Sequence, residues 1–264
     1  MQIAVLIKEV PDTATRIQVK PDGSGIVTDG IKWVMNPYDE FALEEALQIR
    51  DREGGEVVLV SFGSARVDDV LRQGLAMGAD RAVRVSDEGL AGVGVDHLAV
   101  AKILAEALRR ESWDLIWCGK QAVDDDAAQV GPLVAVHLGL PQAMVVLACH
   151  IDAAGRRLSV RRELEGAEEI VELPMPAVLG AQRGLNTPRY PTLPNIMKAK
   201  RKPLETIGVA DLGLDADTLR AMCRVRVEQF FAPPGRPEGR ILTGDPAEAA
   251  RELVRLLHTE AHII

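Results

Sequence analysis

The sequence predicts an α/β protein: a mostly parallel sheet flanked by helices, with an antiparallel extension and a C-terminal helical tail. Three observations predict it. Short apolar, β-rich runs at residues 3–7, 57–60, 82–85 and 115–118 alternate with segments of helical period. Those runs are apolar apart from Arg84, the pattern of parallel strands covered on both faces. After Pro141 the texture changes to β-rich runs at 144–151, 158–162 and 169–173, separated by turn material such as Ala153-Ala154-Gly155, which reads as antiparallel sheet.

Each element follows in order. Residues 1–8 have no basic region ahead of a long apolar core and no small-residue cleavage site, so they read as a first strand and the expected compartment is cytoplasmic. Runs 16–20 and 25–28 flank Pro21-Asp22-Gly23-Ser24, hairpin chemistry that predicts two short antiparallel strands. Asn36-Pro37-Tyr38-Asp39-Glu40 opens a helix with Pro and acids in its first turn; Ala42, Leu43, Ala46 and Ile49 then form its apolar side. Val67, Val70, Leu71, Gly74 and Leu75 do the same in a second helix. A third is expected over 97–110 and a fourth over 127–138. From 184 to about 214 the chain is rich in Pro, Lys and Arg, with Pro188, Pro191, Pro194 and Pro203 each removing a backbone donor, and an extended, irregular segment is expected. Asp245-Pro246 then starts a last helix through about residue 258, with Ala249, Leu253, Leu256 and Leu257 as an apolar stripe that either folds back or docks on another chain.

Composition bounds what this fold does. A chain of 264 residues buries a full core, and no apolar stretch approaches the ~20 residues of a membrane span. Net charge of −8 and only 3% aromatics argue against nucleic-acid binding, which wants a basic face and stacking platforms. The run 198–202 is basic but short, and reads as a solvated face. Cys118, Cys149 and Cys223 follow no metal or redox spacing. His97, His137, His150, His258 and His262 are scattered, so no catalytic constellation or metal motif emerges.

One segment carries ligand chemistry. Gly119-Lys120-Gln121-Ala122-Val123-Asp124-Asp125-Asp126-Ala127-Ala128-Gln129-Val130-Gly131-Pro132 leaves a strand and enters a helix. Ligands of open α/β sheets collect at the carboxyl ends of strands, where a helix N-terminus offers free amides to a phosphate. The three aspartates would repel a phosphate they faced, so they read as helix caps or as acceptors for ribose hydroxyls. Ser61-Phe62-Gly63-Ser64 ends another strand but carries neither the Gly-x-Gly-x-x-Gly fingerprint nor a Walker lysine, nor the Ser-Gly-Gly-x-Asp-Ser loop of ATP pyrophosphatases.

Leu185-Asn186-Thr187-Pro188-Arg189-Tyr190-Pro191-Thr192-Leu193-Pro194-Asn195-Ile196-Met197-Lys198-Ala199-Lys200-Arg201-Lys202 closely resembles the signature of the electron transfer flavoprotein beta subunit. The resemblance extends to Ile7-Lys8, to Val27-Thr28-Asp29-Gly30, to Asn36-Pro37, to Leu75-Ala76-Met77-Gly78-Ala79-Asp80 and to the 119–129 loop, and is loose only beyond about Ala232. It implies an adenine-nucleotide-binding (HUP-like) domain over 1–232 with a recognition loop at 182–203, and a tail over 233–264. It implies a heterodimer with an alpha subunit that holds most of one FAD. Electrons would arrive from dehydrogenases such as acyl-CoA dehydrogenases and leave to a quinone reductase or another acceptor, so the chain is expected to be an electron carrier subunit and not an enzyme by itself. Carried over by position, AMP would be bound by Leu6, Asn36, Pro37, Tyr38, Asp39, Phe62, Gly119, Lys120, Gln121, Ala122, Val123, Asp124, Asp125, Asp126, Ala127, Ala128, Gln129 and Val130. Leu193, framed by Pro191 and Pro194, matches the hydrophobic anchor that docks the dehydrogenase. Tyr38 and Thr13 match positions near the flavin, although Thr13 replaces an aromatic residue and Phe62 a smaller one.

Two alternatives stand beside this. Electron-bifurcating relatives hold a second FAD in place of AMP, and Ala128-Gln129-Val130-Gly131-Pro132 is similar to theirs; Asp125, where they often have glycine, crowds a close backbone approach and favours AMP. A nucleotide-sensing module without redox partners would be a colourless chain, whereas the carrier predicts a yellow heterodimer.

Overall fold

A computed structural model describes residues 1–90, 92–235 and 238–264. In chain order, β1 (Gln2–Leu6) leads through β2 (Glu9–Pro11) and β3 (Trp33–Met35) to α1 (Pro37–Glu53). The alternation continues as β4 (Glu56–Gly63), α2 (Val67–Met77), β5 (Arg81–Ser86), α3 (His97–Leu108), β6 (Leu115–Gly119) and α4 (Val130–Leu138). Then come β7 (Gln142–Asp152), β8 (Arg157–Leu164), β9 (Ala167–Pro174), β10 (Ala177–Ala181), α5 (Leu193–Ala199), β11 (Leu204–Gly208), α6 (Ala216–Met222) and α7 (Pro246–Thr259).

Nine strands form one sheet in the order β11-β5-β4-β1-β6-β10-β7-β8-β9. Every pairing from β11 to β7 is parallel, while β7-β8 and β8-β9 are antiparallel. Alternate residues of the parallel strands feed opposite cores, as a period of two requires. Ile3, Val5, Leu59 and Trp117 pack under α1 and α2 on one face; Ala4, Leu6, Val60 and Ile116 pack under α3 and α4 on the other. Fully covered strands are the reason these runs are almost wholly apolar; Arg84, the exception, is held by Asp68 at 2.8 Å. Beyond β7 one face opens, and β9 is exposed along most of its length. Its glutamates pair across the strands as Arg157–Glu172, Arg161–Glu168 and Arg162–Glu169.

Three expectations are corrected, and one strand was not foreseen. Segment 184–214 is irregular, as expected, only over 184–192: α5 then starts where the Thr192 hydroxyl accepts the Asn195 amide at 3.4 Å, and β11 adds an edge strand parallel to β5. Helix α4 begins at Val130 and not at 127, because Asp126 and Ala128 take left-handed φ of 50° and 53°. The expected hairpin reduces to a single bridge, Val19 with Ile26, while the chain around it makes an unforeseen antiparallel pair, β2 with β3. Strand β10, central and wholly buried, lies between β6 and β7.

Candidate functional site

The carboxyl ends of β1 and β6 and the N-terminus of α1 meet around one carboxylate. Asp39 is buried at the start of α1, where it accepts hydrogen bonds from the Lys8 amide at 2.7 Å, the Gly119 amide at 3.0 Å and Asn36 Nδ2 at 2.9 Å. It therefore ties the end of β1 to the end of β6. Burial pushes its carboxyl up to about 7, against the pull of those three donors and the Lys8 charge. Asn36, also buried, reaches the other way: its Nδ2 donates to the Gln121 carbonyl at 2.9 Å, and its Oδ1 accepts the Val123 amide at 3.2 Å. The α1 start thus holds the loop after β6 by direct contact.

That loop is strained and largely polar. Asp126 and Ala128, both left-handed and neither glycine, concentrate backbone strain in two of three consecutive residues, a feature typical of binding turns. Lys8 Nζ bridges Asp124 at 2.7 Å and Asp125 at 2.9 Å. Desolvation opposes the lysine charge, but the two carboxylates outweigh it and hold the ammonium above its ordinary range. Asp125 also accepts the Ala127 amide at 3.0 Å and lies 2.9 Å from His97 Nε2, at the start of α3. Although partial burial works against its charge, these contacts depress its carboxyl to about 2. Asp126 accepts from Gln121 Nε2 at 2.6 Å.

The aspartates are therefore not helix caps. Gln129, at the N-cap of α4, makes no side-chain cap, and Pro132 has no amide to offer. The first-turn amides of this helix start, behind a turn in which Lys8 bridges Asp124 and Asp125, suit an anionic group. Close approach of the backbone is built in as well. A β-carbon on Gly119 would lie 2.6 Å from the Tyr38 β-carbon, and one on Gly131 would lie 2.6 Å from Cys118 Sγ.

The sequence-predicted residues divide plainly. Asn36, Asp39, Gly119, Gln121, Val123, Asp125 and Ala127 join in the hydrogen-bond network just described. Leu6 is buried at the end of β1, and Phe62 packs half-buried at the end of β4, where Ser61 Oγ donates to the Ile7 carbonyl at 2.6 Å. Lys120 lies over the Tyr38 ring, 5.2 Å from its centroid, and Pro37 is the first residue of α1. Ala122 accepts the Asp126 amide through its carbonyl at 2.9 Å, closing the turn. Val130 packs against the core beside α3. Thr13 is exposed in the turn that Asp12 organises. Two residues of the cluster escaped the sequence reading, Lys8 and His97. Lys8 lies two residues past the end of β1 and His97 directly after the Asp96 cap of α3, which places both at the carboxyl edge.

Farther along the molecule, α5 stands out from the surface. Tyr190, just ahead of it, is 93% exposed, and Leu193 72%, Met197 58% and Ile196 40% follow on the helix, a local group of exposed apolar side chains. Pro191 and Pro194 flank Leu193.

A doubly covered, mostly parallel sheet with helices on both faces defines the chain as an α/β protein of the open-sheet class. The electron transfer flavoprotein domain matches residues 24–212. Over 264 residues, all of both chains, the sequence is 38% identical to electron transfer flavoprotein subunit beta of Bacillus subtilis. It is 42% identical to that subunit of Bradyrhizobium diazoefficiens, again over all of both chains, and 42% identical to that of Homo sapiens over 90% of this chain and 91% of the relative. The chain belongs to the electron transfer flavoprotein beta-subunit family, whose business is electron transport. Among the described residues, no helix is long and apolar enough to cross a membrane.

Proposed function

We propose that this chain is the beta subunit of a heterodimeric electron transfer flavoprotein, binding AMP in the 119–130 turn and helping an alpha subunit to hold FAD. The observation that carries the nucleotide is the uncapped start of α4 behind the left-handed Asp126 and Ala128. Backbone amides around Ala128 to Gly131 would take the phosphate, while Leu6, Phe62 and the Asn36–Asp39 turn would flank the nucleoside. Lys8, paired with Asp124 and Asp125, offsets part of the turn's negative charge toward a phosphate. The bound flavin would supply reversible one- and two-electron chemistry; this chain's own residues shape the nucleotide turn and the docking surface. Residues 1–232 would make the nucleotide-binding unit, with its recognition loop at 182–203, and 233–264 the tail. In a cytoplasmic setting, electrons would come from dehydrogenases such as acyl-CoA dehydrogenases, docked at Leu193 between Pro191 and Pro194, and pass to a quinone reductase or another acceptor.

Asp125 favours AMP over a second FAD, because its side chain already fills its place with Lys8, His97 and the Ala127 amide. Co-purification with the alpha subunit, followed by release and counting of cofactors, tests the reading. One FAD and one AMP per heterodimer are expected; two FAD and no AMP would replace it with electron bifurcation, and a colourless chain that takes no alpha subunit with a nucleotide-sensing module.

A further inference from the structure

The apolar anchor at Leu193 stands on a seven-residue helix, too short to hold its own shape in water. Something must fix it, because a mobile anchor loses affinity to the entropy of ordering. The structure fixes it at both ends with basic side chains that point inward.

At the leading end, Arg189 grips α1. Its guanidinium lies against Glu44 as a fork, Nε to Oε2 at 2.8 Å and Nη2 to Oε1 at 3.0 Å, and its backbone amide donates to the same carboxylate at 3.1 Å. Nη1 reaches Asp51 at 3.1 Å. Glu44 is only 5% exposed at its side chain. Three residues earlier, Asn186 Nδ2 donates to the Phe41 carbonyl at 3.0 Å and to Glu45 at 3.1 Å. At the trailing end the direction reverses. Arg72 of α2 donates to the Ala199 and Lys202 carbonyls at 2.8 and 2.7 Å, and Lys202 Nζ inserts against the Leu75 and Ala79 carbonyls at 3.0 and 2.5 Å, at the end of α2. Lys202 is thus not part of a solvated basic face.

We propose that Arg189 is a positioning residue for the docking surface: through Glu44 and Asp51 it fixes the backbone ahead of α5, so that Leu193 is presented ready to dock, and it does not itself touch the partner. This deepens, and rests on, the reading that a dehydrogenase docks at Leu193. Two carboxylates already match the guanidinium, so Arg189 has little charge to offer across an interface. A fork of this kind is geometric as well as electrostatic, which a lysine cannot reproduce.

The test uses the flavin-loaded heterodimer as electron acceptor for an acyl-CoA dehydrogenase. Arg189→Gln should raise KM for the flavoprotein about tenfold, the equivalent of ~1.4 kcal/mol, with kcat within about twofold and flavin content unchanged. Glu44→Gln, which weakens the same fork from the α1 side, should act in the same direction and serves if the first variant folds poorly. In a Leu193→Ala background, Arg189→Gln should add nothing further. A raised KM in Leu193→Ala with an unchanged KM in both fork variants overturns the positioning role and leaves the docking reading standing. Multiplying effects in the double variant overturn it too. An unchanged KM in Leu193→Ala removes the docking reading, and the positioning role with it.

Discussion

Gly119 sits so close to Asp39 that a β-carbon at position 119 would lie 2.4 Å from Asp39 Oδ1. The amide of the same glycine donates to that oxygen at 3.0 Å. The contact joins the end of β6 to the start of α1 without any space for a side chain. Gly119→Ala should therefore displace Asp39, cost about 2–4 kcal/mol through overpacking and a weakened buried hydrogen bond, and lower the AMP retained on purification. Urea melts and nucleotide analysis read both effects; wild-type values for both would mean that the turn relaxes freely.

Asp39 itself gives a pH dependence. Its folded carboxyl titrates near 7, above the ordinary 3.8, so folding takes up a proton between those values. The stability associated with this group is fully present below about pH 4 and is lost as pH rises through 7. Asp39→Asn removes the titration but leaves one backbone donor badly paired, a cost of ~1–3 kcal/mol that does not vary with pH. Relative to wild type, the variant should gain stability from pH 5 to pH 7, by on the order of 2–3 kcal/mol. Parallel stability curves over that range would refute the buried titration.

Lys8 is expected to matter to the turn more than to global stability. Its two ion pairs are partly exposed, and pairs of that kind contribute roughly 0–1 kcal/mol. Lys8→Met should barely change the melting temperature. It should speed amide exchange at Asp126 and Ala127 and reduce bound AMP, since Asp124 and Asp125 would face the phosphate less compensated. Unchanged exchange in hydrogen–deuterium mass spectrometry would count against the role.

The thiols should sort by burial. Burial, and to a lesser degree the nearby Asp39 charge, pushes Cys118 up to about 12, and burial with Glu45 nearby does the same for Cys149. Cys223 is only half-buried at the end of α6. Native alkylation at pH 8 should modify Cys223 and spare the other two; peptide mapping that finds equal labelling would contradict the packing around β6 and β7.

Much of the sheet was legible because buried parallel strands write apolar runs, as in β1, β4 and β6, and in β5 with Arg84 as its one break. Strand β10 was not: Ala177-Val178-Leu179-Gly180-Ala181 is short and glycine-bearing, and its place is set by parallel ladders with β6 and β7, strands distant in sequence, where Met144 occupies the space over Gly180. The α5 helix hid behind its prolines, although Thr192 followed by Pro194 is itself a start signal. At the site, the turn after Gly119 was legible from its position at a strand end, whereas Asn36 and Asp39 read only as a helix start and entered as site residues through the family resemblance. The partners of Asp124 and Asp125 were not legible, because Lys8 and His97 meet the turn only once β1 and α3 lie on either side of it.

The two outermost strands also decide how this protein behaves at high concentration. A sheet edge is a template on which a second copy can grow, and fibres begin that way. Here β9 carries a ladder of hydrated arginine–glutamate pairs and ends at Pro174, while β11 is only five residues long and follows Pro203. Neither offers a long, bare, apolar rim. The sheet is terminated chemically on both sides, and crowding should not drive these chains to polymerise edge to edge.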